Sequence, residues 1–211
     1  MDARVSDVGV LDKAVAVLAA LEQGPLALGE LVAVTGLPRA TAHRLAVALE
    51  AHGLVRRDAE GRFGLGLRLA ALGRAAVGPL GDLARPALEQ LRDTTGESVQ
   101  LYVLDGDGRR CVASLDSPNE LRTIVPVGAV LPLDRGSAGR VLAGDRRPWV
   151  ESVGEREAGV ASVSAPVVDG SGEIVAAVSV SGPIERTTRQ PGRRYASAVV
   201  AAAAAIADAL S

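Results

Sequence analysis

Residues 26–45 read LALGELVAVTGLPRATAHRL, and this stretch decides the fold of the first part of the chain. Leu28 and Leu31 lie at helical spacing before Gly36, which supplies a sharp turn that a residue with a Cβ would resist. Pro38 follows at the first position of a second helix, where a helix tolerates proline best. The stretch therefore predicts two short helices joined by a tight turn, a helix-turn-helix.

The second of these helices has an apolar face and a mixed face. Helical spacing directs Ala42, Leu45 and Leu49 toward the core. The opposite face and its flanks carry small residues and a few long hydrogen-bond donors, a combination that the major groove of DNA accepts. For this stretch alone, the alternative is an αα-hairpin within an ordinary helical bundle. The predicted DNA-facing residues of the helix are Arg39, Ala40, Thr41, His43, Arg44 and Val47.

The residues that follow favour DNA binding over the bundle. Gly53 ends the second helix, and two short strand-like stretches, residues 54–57 and 62–65, flank a turn with the sequence DAEG. Helices followed by a β-hairpin have the order of a winged helix, whereas a bundle needs another helix at this point. The wing is expected to contact DNA phosphates through Arg56, Arg57 and Arg62.

The net charge of the chain does not by itself indicate a nucleic-acid partner. It is −2 at pH 7, and residues 1–68 hold basic and acidic side chains in equal number. The arginines, however, cluster in the predicted DNA-facing helix and the wing, while many of the acids lie in the helices before them. Because phosphate contacts depend on local positive charge, this placement favours a DNA-binding surface.

Composition also limits the compartment and the size of the domains. A chain of 211 residues can hold one large domain or two small ones. Its single cysteine, Cys111, excludes an internal disulfide framework and fits a reducing compartment. We find no basic-plus-apolar signal segment at the N-terminus and no uncharged run as long as a membrane span. We therefore expect a cytoplasmic protein without a membrane partner.

Breaks in the apolar patterns predict three parts of the chain. A short flexible arm over residues 1–10 and a first helix over 11–23 precede the helix-turn-helix. Gly78-Pro79 ends a further apolar helix that follows the wing. The predicted parts are a winged helix-turn-helix domain at 1–66 (helix-turn-helix about 26–45, wing about 54–65), a linker helix at 67–80 and a second domain at 81–211.

The second domain alternates between helical and strand patterns. Val99, Leu101 and Val103 alternate with Gln100 and Tyr102, as in a half-buried strand. The resulting order predicts an α+β fold, in which an antiparallel sheet carries helices, an architecture common in small-molecule sensors. The predicted elements are a helix at 81–95, strands at 99–103, 111–115 and 121–127, a helix at 136–143, strands at 161–168 and 174–181, and a helix at 191–210.

The second domain lacks the groups of a hydrolytic enzyme. The histidines of the chain, His43 and His52, both precede it, so no Ser-His-Asp or Cys-His arrangement is available there. Residues 136–139 do not form a nucleophile elbow, and the chain has no phosphate loop or dinucleotide fingerprint. Cys111 with carboxylates alone is a poor ligand set for zinc. We therefore predict a protein that is not an enzyme and has no cofactor or metal site.

Several separated motifs resemble the IclR family of bacterial transcription regulators. In the first half these are GLP at 36–38, TAHRL at 41–45 and FGLG at 63–66. In the second half they include TGE at 95–97, GSAGR at 136–140, APV at 165–167 and SVSGP at 179–183. Within the family, GVLDKA at 9–14 and GERE at 154–157 resemble the actinobacterial NdgR-like group, which is linked to amino-acid and especially leucine biosynthesis.

The resemblance implies a winged-helix regulator with a GAF-like effector-binding and oligomerisation domain. Such proteins are dimers or tetramers that bind partly palindromic operators and a small effector, usually an organic acid. Hydroxyls and helix N-terminal amides can hold a carboxylate without a buried arginine. Alternatively, these serines line a packing seam of small residues, since no charged partner marks the site. The effector-binding residues that the resemblance implies are Ser137, Ala138, Val160, Ser162, Ser179, Ser181 and Thr123.

One segment departs from the family pattern. Family members have roughly another helix and strand where this chain has only residues 144–147 before the Glu155 region. Either part of the pocket wall is missing, or the sequence lacks a segment near Asp145.

The expected mechanism is a ligand-modulated switch. Effector binding would change the placement of paired winged helices through the linker helix, so that they fit the operator half-sites better or worse. The alternative function is a metabolite-binding protein whose helix-turn-helix mediates protein contacts, and the arginine-lined wing argues against it.

Overall fold

The computed structural model describes residues 8–77 and 79–210. They divide into two compact units between positions 76 and 77. Residues 1–7 of the arm predicted over 1–10, and the predicted helix break at Gly78, lie outside the described residues. Within the described ranges, no helix is long and apolar enough to cross a membrane.

The first unit consists of helices followed by a two-stranded hairpin. Helix α1 begins at Gly9, so the last part of the predicted arm is helical, and the chain continues from α1 into a 3-10 turn over Leu21–Gln23. The hairpin confirms the predicted wing. The elements are α1 Gly9–Ala20, α2 Leu28–Thr35, α3 Arg39–Ala51, β1 Val55–Arg57, β2 Phe63–Leu65 and α4 Leu67–Val77.

Local hydrogen bonds define the turn between α2 and α3. The Glu30 carboxylate accepts a bond of 2.7 Å from the Ala27 amide and so caps the start of α2. Gly36 ends α2 with a φ of 66°, a left-handed conformation that favours glycine. Pro38 lies just before α3 rather than at its first position, because its extended backbone, with a ψ of 137°, places the helix start at Arg39.

Phe63 joins the wing to the helical core of the first unit. Its side chain is only 1% exposed, and its backbone N–H and C=O both bond to Leu26 at 2.8 Å. The strand of the wing is thereby fixed beside the residues that lead into α2. The buried residues of this core are Val17, Leu21, Leu31, Ala46, Leu49, Val55 and Phe63.

The second unit is an antiparallel sheet with helices on it, which confirms the predicted α+β architecture. The strand order is β5-β4-β3-β8-β7-β6, and neighbouring strands all run antiparallel. The elements are α5 Leu80–Thr95, β3 Ser98–Asp105, β4 Gly108–Leu115, β5 Val130–Pro132, α6 Ser137–Leu142, β6 Val150–Val153, β7 Val160–Val168, β8 Ile174–Pro183, α7 Ile184–Thr187 and α8 Pro191–Leu210.

The two faces of this sheet differ in chemistry. Helices α5 and α8 cover an apolar face, where valines and leucines such as Val99, Leu101 and Val178 pack against Leu88 and Val199. On the opposite face, α6 and the residues before it cover a smaller apolar cluster that includes Tyr102 and Cys111. Because side chains alternate along a strand, polar residues between the apolar ones of β3, β7 and β8 also point to this second face.

The predicted strand at 121–127 is wrong. Thr123 and Val125 are buried and their neighbours are exposed, but the segment pairs with no strand. The outer edge of β4 is already occupied, since the backbone of Cys111 bonds to Gly128 and Ala129 and the following residues form β5. The alternation of apolar and polar residues therefore reports alternating burial along an extended segment, not a place in the sheet.

Two further features of the sheet differ from a regular reading of the sequence. Strand β6 at Val150–Val153 has no counterpart among the predicted strands, because it is a short edge strand of four residues. Between β3 and β4, Leu101 pairs with Ala113 and the next residue, Tyr102, pairs with Cys111. Val112 of β4 is therefore an extra residue in a β-bulge. The bulge turns Cys111 to the second face, away from Ala113.

We predict that Gly66→Ala destabilises the first unit, because a Cβ at this position would overlap the backbone carbonyl group of Gly53. Overpacking of this kind costs about 1–3 kcal/mol of unfolding free energy. Gly73→Ala is the matched control. A Cβ at Gly73, within α4, meets no atom within 4 Å and should stabilise the helix by about 0.5–1 kcal/mol. Chemical denaturation followed by circular dichroism measures both, and equal midpoints for the two variants would contradict the assigned contact.

Candidate DNA-binding surface and effector cavity

Helix α3 presents the predicted DNA-facing residues to solvent. Arg39, Ala40, His43, Arg44 and Val47 are exposed, and Thr41 is half-buried on the flank of the helix. The inward face is formed by buried Ala42, Ala46 and Leu49, with Leu45 half-buried beside them. The helix is thus held by its small apolar residues and leaves its long donors free to reach outward.

The tip of the wing is an ordered turn around Asp58. The Asp58 carboxylate accepts backbone bonds from Glu60 and Arg62 at 3.2 and 2.8 Å, and it pairs with the Arg62 guanidinium at 2.8 Å. Arg62 also lies 3.7 Å from the Glu60 carboxylate. Its charge is therefore largely balanced within the wing itself.

The other two wing arginines also have partners within the chain. Arg57 pairs with Glu50 at 3.0 Å and lies over the Phe63 ring, 4.4 Å from its centroid. Arg56 donates to the Leu65 carbonyl at 3.2 Å. In contrast, Arg39 and Arg44 make no ion pair with any residue that the structure describes. The arginines that the sequence groups together thus fall into a paired set on the wing and an unpaired set on α3.

In the second unit, six of the seven predicted effector residues line one cavity, and Thr123 does not. Thr123 is buried beside the segment at 121–127, and its hydroxyl has no hydrogen-bond partner among the described residues. The cavity lies on the second face of the sheet beneath α6 and has a volume of about 20 Å³. Its lining residues are Gln100, Tyr102, Arg109, Gly136, Ser137, Ala138, Ser152, Arg156, Val160, Ser162, Ser179 and Ser181.

Serine hydroxyls form a directed chain of hydrogen bonds at this cavity. Ser137 lies 2.7 Å from both Ser162 and Ser164, and Ser164 donates to Ser179 at 2.9 Å. A hydroxyl has one hydrogen to donate. Ser164 uses its hydrogen on Ser179, so Ser137 must donate to Ser164, and Ser162 must donate to Ser137. Within this chain only the hydroxyl hydrogen of Ser179 remains for a ligand.

Two buried side chains add further free donors. Gln100 accepts a bond from Ser181 through its carbonyl oxygen at 3.0 Å, but its amide nitrogen has no partner among the described residues. Arg109 is 2% exposed and donates through one terminal nitrogen to the carbonyls of Pro132 and Arg135, while its Nε has no partner there. Both residues line the cavity, so each brings one unsatisfied donor nitrogen to its wall.

Arg109 contradicts the expectation that no charged group marks the site. Its guanidinium lies over the Tyr102 ring, 5.4 Å from the centroid. Burial lowers the pKa of Arg109, and repulsion from Arg156 acts in the same direction. An arginine whose charged form is disfavoured in this way gains from an anion placed beside it. The serines therefore form the floor of a charged cavity, not only a packing seam.

Part of the cavity wall comes from β6 and the loop after it. Ser152 and Arg156 line the cavity there, and Arg156 pairs at 3.5 Å with the mostly exposed Glu157. Glu155 accepts a bond from the Gly136 amide at 3.1 Å and pairs with Arg140 at 3.3 Å, which ties this loop to α6. Although the connection at 144–147 is short, residues of β6 and of the loop after it still line the cavity.

Some lining residues could have been found in the sequence and others could not. Gln100 and Tyr102 alternate with the core residues Val99 and Leu101, so a polar Gln100 on a covered face was a signal. Nothing in the sequence indicated that Arg109 is buried, because this residue follows a turn at the start of a strand, where arginines are commonly exposed. Cys111 is fully buried, and burial raises the pKa of its thiol to about 12, which favours the protonated thiol at neutral pH.

Two family models match the chain. One, described as the IclR helix-turn-helix domain, matches residues 10–59, and the other, described as bacterial transcriptional regulator IclR C-terminal, matches 77–148 and 143–208. The glycerol operon regulatory protein of Streptomyces griseus is 31% identical over 83% of this chain and 85% of its own length. The transcriptional repressor IclR of Escherichia coli is 26% identical over 85% of this chain and 81% of its own.

Solved structures share the fold. The crystal structure of Thermotoga maritima IclR has a TM-score of 0.78 at 21% identity and covers 96% of this chain and 98% of its own. An IclR homologue from Microbacterium hydrocarbonoxydans, complexed with 4-hydroxybenzoate, has a TM-score of 0.81 at 21% identity, covering 95% and 98%. Since the family models match far more than half of its residues, this chain belongs to the IclR family of bacterial transcriptional regulators, DNA-binding proteins that are not enzymes.

Proposed function

We propose that this regulator binds a specific operator and that a small organic-acid or amino-acid-related effector modulates this binding. The observation that carries the effector half of the proposal is the pair of unpartnered buried nitrogens on Gln100 and Arg109, two residues that line the cavity. A buried donor without a partner costs about 1–3 kcal/mol, and a ligand oxygen would remove that cost.

The DNA half of the proposal rests on the division between the two sets of arginines. Arg39 and Arg44 are exposed on α3 and unpaired among the described residues, so they can contact base edges and phosphates without breaking another bond. The wing arginines are held by partners, which suits them to positioning against the phosphate backbone. The proposed DNA contacts are Arg39, Ala40, Thr41, His43, Arg44, Val47, Arg56, Arg57 and Arg62.

We further propose a homodimer or tetramer on a partly palindromic operator. Helix α1 exposes Val10, Leu11 and Val15, and α4 exposes Leu67 and Leu72. Large apolar residues exposed on a small helical unit are unfavourable in water. Pairing of two copies would bury part of this exposed apolar surface. Two copies would also bring two α3 helices to successive half-sites of an operator.

The proposed division of labour follows the predicted parts of the chain. Residues 1–66 bind DNA, residues 67–80 transmit the effector signal as a linker helix, and residues 81–211 bind the effector and support oligomerisation. In the cytoplasm, an effector that binds one arrangement of the dimer better than another would shift the population between them. The resemblance to the NdgR-like group extends the proposal to genes of amino-acid biosynthesis as targets.

We expect specific binding to a fragment from the protein's own upstream region, or from upstream of leucine-biosynthesis genes, over unrelated DNA. Arg44→Ala should weaken specific binding by about 1–3 kcal/mol if Arg44 contacts a base. Titration of labelled DNA across a salt series measures both, because contacts with phosphates are strongly salt-dependent. Arg147→Ala, an exposed arginine of the second unit, is the control and should bind as the unaltered protein does. Equal, steeply salt-dependent affinity for all sequences would contradict operator recognition.

We expect the effector response to depend on the serine chain. Ser137→Ala removes the hydroxyl that joins Ser162 to Ser164, and a lost hydrogen bond of this kind costs about 0.5–1.5 kcal/mol, up to about tenfold in effector affinity. Operator titrations with hydroxy acids, oxo acids, dicarboxylates and amino acids give the measurement. Ser171→Ala, in an exposed turn, is the matched control and should respond normally. An undiminished response of Ser137→Ala would contradict a role of the serine chain in effector binding.

We expect the double variant Leu11→Glu, Leu67→Glu to dissociate into smaller species, because two charges would be buried wherever α1 and α4 pair. Sedimentation velocity of this variant and the unaltered protein measures the change. Val34→Glu adds a charge at an equally exposed residue on α2 and should leave the assembly unchanged. A monomeric unaltered protein would rule out the proposed pairing.

A further inference from the structure

The side chains that line the effector cavity include two positive charges, and the acids near them, Asp134, Glu155 and Glu157, lie outside the lining. Arg109 on β4 and Arg156 on the loop after β6 both line the cavity, and no aspartate or glutamate does so among the described residues. Arg109 makes no ion pair there, and the partner of Arg156, Glu157, is mostly exposed to water. Two guanidinium groups thus face a small space from different elements without a buried counter-charge.

The free hydrogen-bonding groups of the cavity are mainly donors. Gln100 offers its amide hydrogens, Arg109 offers its Nε hydrogen, and the serine chain leaves the Ser179 hydroxyl hydrogen at its end. Ser179 and Gln100 are directly opposite each other on β8 and β3, and both line the cavity. A group that only accepts hydrogen bonds, such as a carboxylate, matches this set.

We propose that the effector is a short dicarboxylate, with one carboxylate held by Gln100, Arg109 and Ser179 and the other paired with Arg156. This inference rests on the proposed effector function and narrows it from organic or amino acids to one class. The two arginines differ in exposure, since Arg109 is 2% exposed and the Arg156 side chain is about a quarter exposed, so Arg156 is the one that can pair with a second carboxylate nearer to solvent. The volume of about 20 Å³ is close to that needed for one water molecule, so the cavity must widen to admit even the shortest acids.

An amino acid is a poor match for the same site. Its ammonium group would lie near two guanidinium groups without a carboxylate to pair with, and it would bring donors to a cavity that already has too many. A monocarboxylate would satisfy Gln100 and Arg109 but leave Arg156 with its exposed partner only. The proposal is therefore tested by comparing the affinity for dicarboxylates with the affinities for amino acids and for monocarboxylates.

The first experiment compares matched ligands on the full chain by titration calorimetry. Oxalate, malonate and succinate are each paired with the half-amide of the same length, in which one carboxylate becomes a neutral group of similar size. We expect the preferred dicarboxylate to bind about tenfold or more tightly than its half-amide, as the loss of a charge-assisted pair predicts. Aspartate, which adds an ammonium group to the succinate skeleton, should bind more weakly than succinate.

The second experiment assigns the two carboxylates to their partners. Arg156→Gln should abolish the preference for the dicarboxylate over its half-amide, whereas Gln100→Met should weaken both ligands alike and preserve their ratio. Arg135→Gln is the control, because it removes an exposed charge next to the cavity without altering its lining. Circular dichroism of each variant establishes that it is folded, so that lost affinity reports the site.

The outcomes separate this inference from the proposed function. Half-amides or aspartate that bind as tightly as the diacids, or an undiminished preference in Arg156→Gln, would overturn the dicarboxylate assignment. So would the absence of binding by every diacid at millimolar concentration. In each case, operator binding measured on the same samples shows whether the regulator itself still stands, because loss of specific DNA binding would refute the proposed function instead.

Discussion

The main constraint on the second unit is that one face of its sheet carries polar side chains that are buried by protein and need hydrogen-bond partners. One face is filled by valines and leucines beneath α5 and α8, and it needs only close packing. The other carries a row of serines and Gln100 that are buried and must find partners. The serines satisfy one another in a chain that runs across β7 and β8 into α6. Outside this chain, the nitrogens Gln100 Nε2 and Arg109 Nε have no partner among the described residues, and the proposed binding of an acceptor rests on them.

The position of Arg109 follows from the outer strands of the sheet. The backbone of Cys111 bonds to Gly128 and Ala129, and this pairing brings the loop after β5 next to the start of β4. The carbonyls of Pro132 and Arg135 then accept bonds from one nitrogen of Arg109 and hold the guanidinium beneath α6. A Cβ at Gly139 would meet this guanidinium and the Leu133 backbone, so the glycine of the short helix is required for the arginine to fit.

In the first unit, the wing is integrated into the core rather than appended to it. Phe63 is buried in the helical core and bonds through its backbone to Leu26, while Arg57 lies over its ring and pairs with Glu50 of α3. The wing and the proposed recognition helix are therefore joined by direct contacts through Arg57. Arg39 and Arg44 of α3, in contrast, form no ion pair with any described residue.

Local patterns in the sequence were sufficient for the elements that form within one stretch of chain. The turn at Gly36, the wing around Asp58 and the helices α3 and α8 follow from spacing and turn residues, because their stabilising bonds are between near neighbours. Local patterns misplaced a strand at 121–127, since only the occupied edge of β4 shows that this segment has no partner.

The sequence by itself determined the two-part architecture and the helix-turn-helix with its wing, because each has a short-range signal, and its family motifs pointed to the serines that line the cavity beneath α6. Only the tertiary structure decided that Arg109 and Arg156 face this cavity, that Thr123 does not line it, and that a bulge at Val112 turns Cys111 away from its neighbours. These features arise from pairing between strands and from loops that are distant in the chain, and no residue spacing within one segment encodes them.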